Sequence, residues 1–174
     1  MSLAFRGSPS RKARVAILLV AALASAIVAL AFSFRLESRL DARDGGGRLL
    51  ASLALPHGRF EHVFIHSFHL TPVEERFALE RVGLFRARLR LVELRYQDLG
   101  TGMPDDAELG YRLENGVFIL SMNRRFDRIP IMVSIVDGHG IVVDGVFHPF
   151  TNWVPKEGLI ILEGRYVLVS RFRR

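Results

Sequence analysis

The 174-residue chain contains no cysteine. Its folding therefore depends on no disulfide, and no cysteine is available to carry a lipid anchor. A cysteine-free chain fits a protein of the bacterial cell envelope. The sequence also lacks a G-x-S-x-G nucleophile elbow and a P-loop. We therefore expect neither an enzyme nor a cofactor.

Charge is missing from residues 15–34. Four basic residues and no acidic residue precede this run: Arg6, Arg11, Lys12 and Arg14. We predict a transmembrane helix over residues 13–34, because about 33 Å of helix is enough to cross a bilayer core. The basic flank predicts a signal anchor in a bacterial cytoplasmic (inner) membrane. Residues 1–12 would then be cytoplasmic, and everything after Phe34 would be extracytoplasmic.

A cleaved signal peptide is the alternative interpretation of this run. Ala24 with Ala26, or Ala29 with Ala31, supplies the small residues that a signal peptidase requires. The run is longer than an ordinary h-region of roughly 7–15 residues, and Phe34 extends it past both candidate sites. Its length favours a retained anchor, and either interpretation exports the rest of the chain.

The formal net charge of +6 does not indicate a nucleic-acid partner. Four of the positive charges precede the apolar run, where they fit helix orientation and contact with anionic lipid head groups. No stripe of aromatic and basic residues of a recognised nucleic-acid-binding type accompanies the charge. The expected partner of this end of the chain is the lipid bilayer, through residues 13–34.

The exported part predicts one domain behind a short linker. Residues 35–48 have nearly balanced charge and contain Gly45, Gly46 and Gly47, a composition that predicts a flexible tether. Residues 49–174 have the length of one extracytoplasmic domain.

Short alternating segments separated by turn signals fill this domain, and no long amphipathic helix is evident. The segments are 49–55, 60–66, 73–79, 84–96, 111–113, 117–122, 129–136, 141–146, 158–162 and 165–172. They predict an all-β fold, a sandwich or partly open barrel of antiparallel strands, preceded by a single N-terminal transmembrane helix.

Three hairpins are predicted from turn residues, across 114–116, across 137–140 and across 163–164. The apolar phase of segment 84–96 changes near Leu91 and Val92, which predicts a β-bulge. Residues 71–80 imitate a helix start, but we favour a strand there.

Four histidines lie within thirteen positions: His57, His62, His66 and His69. His62 and His66 share a predicted strand face, and Glu61, Glu74 or Glu75 would complete a metal site. Their spacing matches no established ligand signature, so we predict no metal.

Two further patterns have structural explanations that we prefer to chemical ones. Ser67 follows His66, but neighbours on a strand point to opposite faces, so His66 is badly placed to activate it. The glycine-rich residues 100–104 lack the lysine of a P-loop, and they predict a tight turn rather than an anion site. His139, between two glycines, is likewise interpreted as a turn residue.

Two segments resemble a known bacterial family, called domain of unknown function 1850. Residues 66–75 (HSFHLTPVEE) resemble its H-S-x-x-x-T-P-V-x-E segment, and residues 93–104 (ELRYQDLGTGMP) are similar to its E-x-R-Y-x-x-x-G-x-G-L/M-P segment. Phe68 and His69 depart from the usual residues of the first segment. The resemblance implies a small exported or membrane-anchored protein encoded near tripartite ATP-independent periplasmic (TRAP) transporters, particularly those with TAXI-type receptors.

These observations predict a non-catalytic accessory of a TRAP-type solute transporter, in contact with its permease or its solute receptor. A stand-alone ligand- or metal-binding module of the envelope is the alternative. The predicted binding surface comprises His66, Ser67, Thr71, Pro72, Glu75, Arg95, Tyr96, Gly100, Gly102 and Pro104. Within it, Arg95 and Glu75 are candidates for a buried ion pair.

Overall fold

The computed structural model describes residues 10–67, 69–97 and 110–172, which form two compact units. The described parts of Met1–Leu36 and Leu168–Arg174 form the first unit, and those of Glu37–Val167 form the second.

The first unit contains one helix, α1, over Arg11–Ser33. The hydroxyl of Ser10 caps it by accepting a hydrogen bond from the Ala13 N–H at 3.3 Å. Arg11–Leu30 is long and apolar enough to cross a membrane, and none of it is buried in the described structure. The predicted apolar helix is therefore present and could insert into a bilayer.

The second unit is built from β-strands, and the first residues of β1 and the last residues of β11 belong to the first unit. Their bounds are β1 Phe34–Asp44, β2 Leu49–Ala54, β3 Arg59–Ile65, β4 Pro72–Arg81, β5 Ala87–Tyr96, β6 Tyr111–Glu114, β7 Val117–Phe126, β8 Ile129–Met132, β9 Gly140–Val143, β10 Val146–Pro149 and β11 Leu159–Ser170. A 3₁₀ turn, Phe150–Asn152, follows β10.

The strands form two sheets. Sheet A has the order β2-β1-β11-β8, and sheet B has the order β10-β9-β3-β4-β5-β7-β6. Apolar side chains from both sheets form the core, among them Leu40 and Ile160 of sheet A and Phe77 and Leu89 of sheet B. Burying each such side chain contributes about 1.5–3 kcal/mol to folding. The predicted all-β fold with an N-terminal helix is confirmed.

The tether predicted over residues 35–48 is wrong, because most of this segment belongs to β1. Leu40, Asp41 and Ala42 are all buried at its centre. The Asp41 carboxylate accepts a hydrogen bond from the Ser52 hydroxyl at 2.6 Å and lies 2.7 Å from Arg165 Nε. These partners stabilise a charge that the sequence places in an apparently polar linker. The glycines form only the turn from β1 to β2.

Of the three predicted hairpins, only the one across 114–116 is confirmed, as β6 and β7. The hairpin across 137–140 is wrong, because β8 pairs with β11 and β9 pairs with β10 and β3. The hairpin across 163–164 is also wrong, because β11 continues through Gly164. A Cβ at Gly164 would lie 3.1 Å from Leu89 Cδ2, so this glycine permits close packing rather than a turn.

The local predictions on β4 and β5 are confirmed. Residues 72–81 form a strand. The register of β5 shifts between Leu91 and Glu93, which places the bulge at Val92. Leu89 and Leu91 before the bulge and Leu94 after it are therefore all buried.

Gly140→Ala is expected to lower the free energy of unfolding by about 1–3 kcal/mol through overpacking. The added Cβ would lie 2.5 Å from the His148 carbonyl oxygen and 2.7 Å from the Phe147 ring. Urea unfolding of the full chain in mild detergent, followed by Trp153 fluorescence, measures the loss. Gly83→Ala is the control, because its nearest neighbour would be 3.8 Å away. Equal unfolding midpoints for the two variants would contradict the close approach at Gly140.

Candidate functional site

A chain of hydrogen bonds links two histidines and a glutamate on the inner side of sheet B. His62 lies at the centre of β3, opposite Glu75 of β4 and Ile141 of β9. His139 lies just before β9. His62 and His139 are buried, with 7% and 8% of their surface exposed, and Glu75 is half-buried. The pairing of β3 with both β4 and β9 therefore brings three distant polar residues together.

The hydrogen bonds of this chain fix the positions of its protons. The backbone N–H of Ser134 can only donate, and it lies 2.7 Å from His139 Nδ1. In a neutral His139 the ring proton is then on Nε2, which donates to His62 Nε2 at 2.9 Å. His62 in turn carries its proton on Nδ1 and donates to Glu75 Oε2 at 2.8 Å. All four ring nitrogens thus take part in hydrogen bonds, and every donor in the series points from Ser134 toward Glu75.

The surroundings of the two rings shield them from solvent and keep His139 neutral. The rings of Phe64 and Phe150 lie 5.8 and 5.0 Å from that of His139. Burial, followed by repulsion from His62, lowers the pKa of His139 from 6.5 to about 4, although the Glu75 carboxylate opposes the shift. A proton added to the pair would place one N–H against another.

The same geometry argues against a metal ion between the two rings. A ligating nitrogen needs a free lone pair, but His139 Nε2 must carry a proton while Nδ1 accepts from Ser134. Among the residues that the structure describes, no group of three or more metal-ligating side chains of the His, Cys, Asp or Glu type converges. The four histidines do not converge, because His62 is buried against His139 and His57 is exposed, while the rings of His66 and His69 lie 5.2 Å apart beyond the end of β3.

The predicted surface residues His66, Ser67 and Thr71 form the turn between β3 and β4. The His66 N–H donates to the Thr71 carbonyl oxygen at 2.8 Å, and the Leu70 N–H donates to the His66 carbonyl oxygen at 2.8 Å. Leu70 has φ = 53°, a conformation that leucine rarely adopts. Ser67 is exposed, so the turn presents its side chain to solvent.

Three other predicted residues, Pro72, Arg95 and Tyr96, line one small pocket of about 80 Å³ beside Glu74. The pairing of β4 with β5 brings them together. Gly100, Gly102 and Pro104 lie outside the described residues, as does Phe68. A binding role for this surface stays a prediction.

The ion pair expected between Arg95 and Glu75 is wrong. Glu75 lies on the inner side of sheet B with His62, whereas Arg95 lies on the outer side, where its Nε is 2.6 Å from Glu93 Oε1. Neighbouring residues of a strand alternate between faces, and Arg95 stands next to the buried Leu94 and Tyr96. The two side chains therefore point to opposite faces of the same sheet.

Glu93 is the centre of a row of charges on this outer side. Arg76 Nη1 lies 3.2 Å from Glu93 Oε1, and Arg112 Nη2 lies 3.2 Å from Oε2. Burial opposes ionisation of Glu93, but Arg95, Arg76 and Arg112 outweigh it and hold its pKa below the ordinary value. The row also borders a groove of about 400 Å³ that is lined by His57, Arg59, Phe60, Glu61, Arg76, Phe77, Val92, Val142, Asp144 and Gly145.

Sequence reasoning missed the role of His139. His62 had a signal, because it alternates with Phe60 and Phe64 and so belongs to the inner face. Its partner His139 stands 77 residues further along the chain, in a segment with no strand pattern of its own. No short-range spacing could have linked the two residues.

The chain matches the family described as Domain of unknown function (DUF1850) over residues 60–150. The matched range contains the hydrogen-bonded residues Glu75, His62 and His139 and excludes α1. No curated protein and no solved structure matches the chain. The match covers more than half of the sequence, and the chain belongs to the DUF1850 family.

Proposed function

We propose that the protein is a membrane-anchored, non-catalytic accessory of a TRAP-type solute transporter. α1 holds it in the bacterial inner membrane, and the second unit, which we call the β-domain, binds the permease or the solute receptor on the extracytoplasmic side. The observation that carries this proposal is the apolar helix Arg11–Leu30 on a chain of the DUF1850 family. The basic residues before the helix support the orientation.

The hydrogen bonding of His62 and His139 supports a structural rather than a catalytic role for these two residues. A general base needs a ring nitrogen that can accept a proton from a substrate. Both nitrogens of His62 and both of His139 are occupied by internal hydrogen bonds. Ser67, the hydroxyl next to His66, lies on an exposed turn. We therefore infer that the hydrogen bonds linking Glu75, His62 and His139 stabilise the domain.

Purification of the tagged full-length protein from its native membrane tests this proposal. In a mild detergent we expect a TRAP permease or its solute receptor to co-purify, identified by mass spectrometry. Ser67→Trp is expected to reduce recovery of the partner at least about tenfold, since a bulky ring in a binding surface costs more than about 1.4 kcal/mol. Asn123→Trp is the matched control, because Asn123 is also exposed but lies on β7.

Recovery of the intact, folded protein alone would contradict the accessory role. It would favour the alternative, a stand-alone ligand- or metal-binding module of the envelope, for which the groove of about 400 Å³ is larger than the pocket beside Glu74. Equal loss of the partner in both tryptophan variants would instead remove the surface around Ser67 from the proposal.

A further inference from the structure

The turn between β4 and β5 exposes a cluster of apolar side chains that do not belong to the hydrophobic core. Val82, Leu84 and Phe85 are 45%, 60% and 50% exposed. We call residues 82–85 the apolar tip. Three large apolar side chains at one turn are unusual, because turns are ordinarily polar.

The apolar tip is held by backbone hydrogen bonds. The Val82 N–H donates to the Arg86 carbonyl oxygen at 3.1 Å, and the Tyr166 N–H donates to the Phe85 carbonyl oxygen at 3.0 Å. Arg81 Nε donates to the Gly83 carbonyl oxygen at 3.0 Å. The apolar side chains are thus presented by an ordered turn.

Basic residues surround the apolar tip in the sequence. The segment 81–92 contains four arginines and no acidic residue: Arg81, Arg86, Arg88 and Arg90. Arg81 and Arg86 directly flank the tip, and both are exposed. Apolar side chains between cations are the composition by which protein surfaces bind the interface of an anionic bilayer.

We propose that the apolar tip inserts into the interfacial layer of the membrane in which α1 is anchored, with Arg81 and Arg86 at anionic head groups. This contact would fix the face that the β-domain turns toward the bilayer. The inference rests on the membrane anchoring in the proposed function, but it does not depend on the identity of the transporter.

The absence of cysteine makes a direct test simple, because one introduced cysteine can be labelled selectively. Leu84→Cys in the full chain carries an environment-sensitive fluorophore, and the protein is reconstituted into phosphatidylcholine vesicles with or without phosphatidylglycerol. Nitroxide-labelled lipids then quench fluorophores at the interface. Leu113→Cys on β6 is the matched control, since Leu113 is 59% exposed.

We expect at least about twofold stronger quenching at position 84 than at 113, increasing with the anionic lipid. Adding Phe85→Asp to Leu84→Cys is expected to abolish the difference. Equal quenching at both positions would overturn the inference. So would a fluorescence shift at position 84 that appears without lipid and grows with protein concentration, because it would identify a second copy as the partner.

Alkaline carbonate extraction separates the two levels of the proposal. Release of the chain from the vesicles would overturn membrane anchoring and with it this inference. Retention of the chain with equal quenching at positions 84 and 113 would overturn the apolar tip alone and leave the proposed function standing.

Discussion

Replacing His139 with alanine is expected to lower the free energy of unfolding by about 3 kcal/mol. The substitution removes a buried ring from between Phe64 and Phe150 and leaves a cavity. It also leaves the Ser134 N–H without its acceptor and His62 Nε2 without its donor. A buried polar group without a partner costs about 1–3 kcal/mol, so the loss exceeds that of the ring alone.

Urea unfolding of the full chain in mild detergent measures this loss. His57→Ala is the matched control, because His57 is exposed, and we expect a change below about 0.5 kcal/mol there. If both alanine variants unfold at the same urea concentration, the hydrogen-bonded chain from Ser134 to Glu75 does not stabilise the domain.

The fold class followed from the sequence because its signals are local. Alternation along β5 is interrupted near Val92, and a bulge is the one local change that returns Leu94 to the face of Leu89. Asn115-Gly116 likewise marks a turn through its own backbone preference, with φ = 52° and 79°.

Pairings between distant strands did not follow from the sequence. The pair Glu163-Gly164 is typical of a turn. Gly164 instead packs against Leu79, Ala87 and Leu89, which are far from it in the sequence. The same limit applies to residues 35–48, whose polar composition does not indicate that most of them belong to β1, an inner strand of sheet A. The partners of the buried Asp41 carboxylate are Arg43 on the same strand and, from other strands, Ser52 and Arg165.

In the candidate site too, local features could be predicted from the sequence and contacts between distant strands could not. A binding role for Glu75 stays a prediction, but the ion-pair partner predicted for it was wrong, although strand parity already distinguished the faces of Glu75 and Arg95. Val73, Glu75 and Phe77 share the inner face, whereas Arg95 stands between the inner residues Leu94 and Tyr96. The connection to His139 required the pairing of β3 with β9, which no local pattern encodes.

Acidification is expected to destabilise the β-domain between pH 6.5 and pH 4. The pKa of His139 is about 4 in the folded chain and 6.5 when the residue is exposed to solvent, so the unfolded chain binds more protons in this interval. The stability that neutral His139 contributes is complete above pH 6.5 and is lost as the pH falls toward 4. Between pH 7.5 and 4.5 we expect a loss of about 2–3 kcal/mol.

Among the described residues, the titratable groups that face His139 are His62 from β3 and, beyond it, Glu75 from β4. Glu93 contributes to a separate interval, because its pKa lies below 4.5 and its stabilisation is lost only at lower pH. The free energy of unfolding of the full chain, measured by urea at several pH values, is the test. In His139→Gln the dependence between pH 7.5 and 4.5 is expected to flatten, since glutamine still donates toward His62 but does not titrate. His57→Gln, at an exposed position, should retain the full dependence, and an equal slope in both variants would show that another group carries the effect.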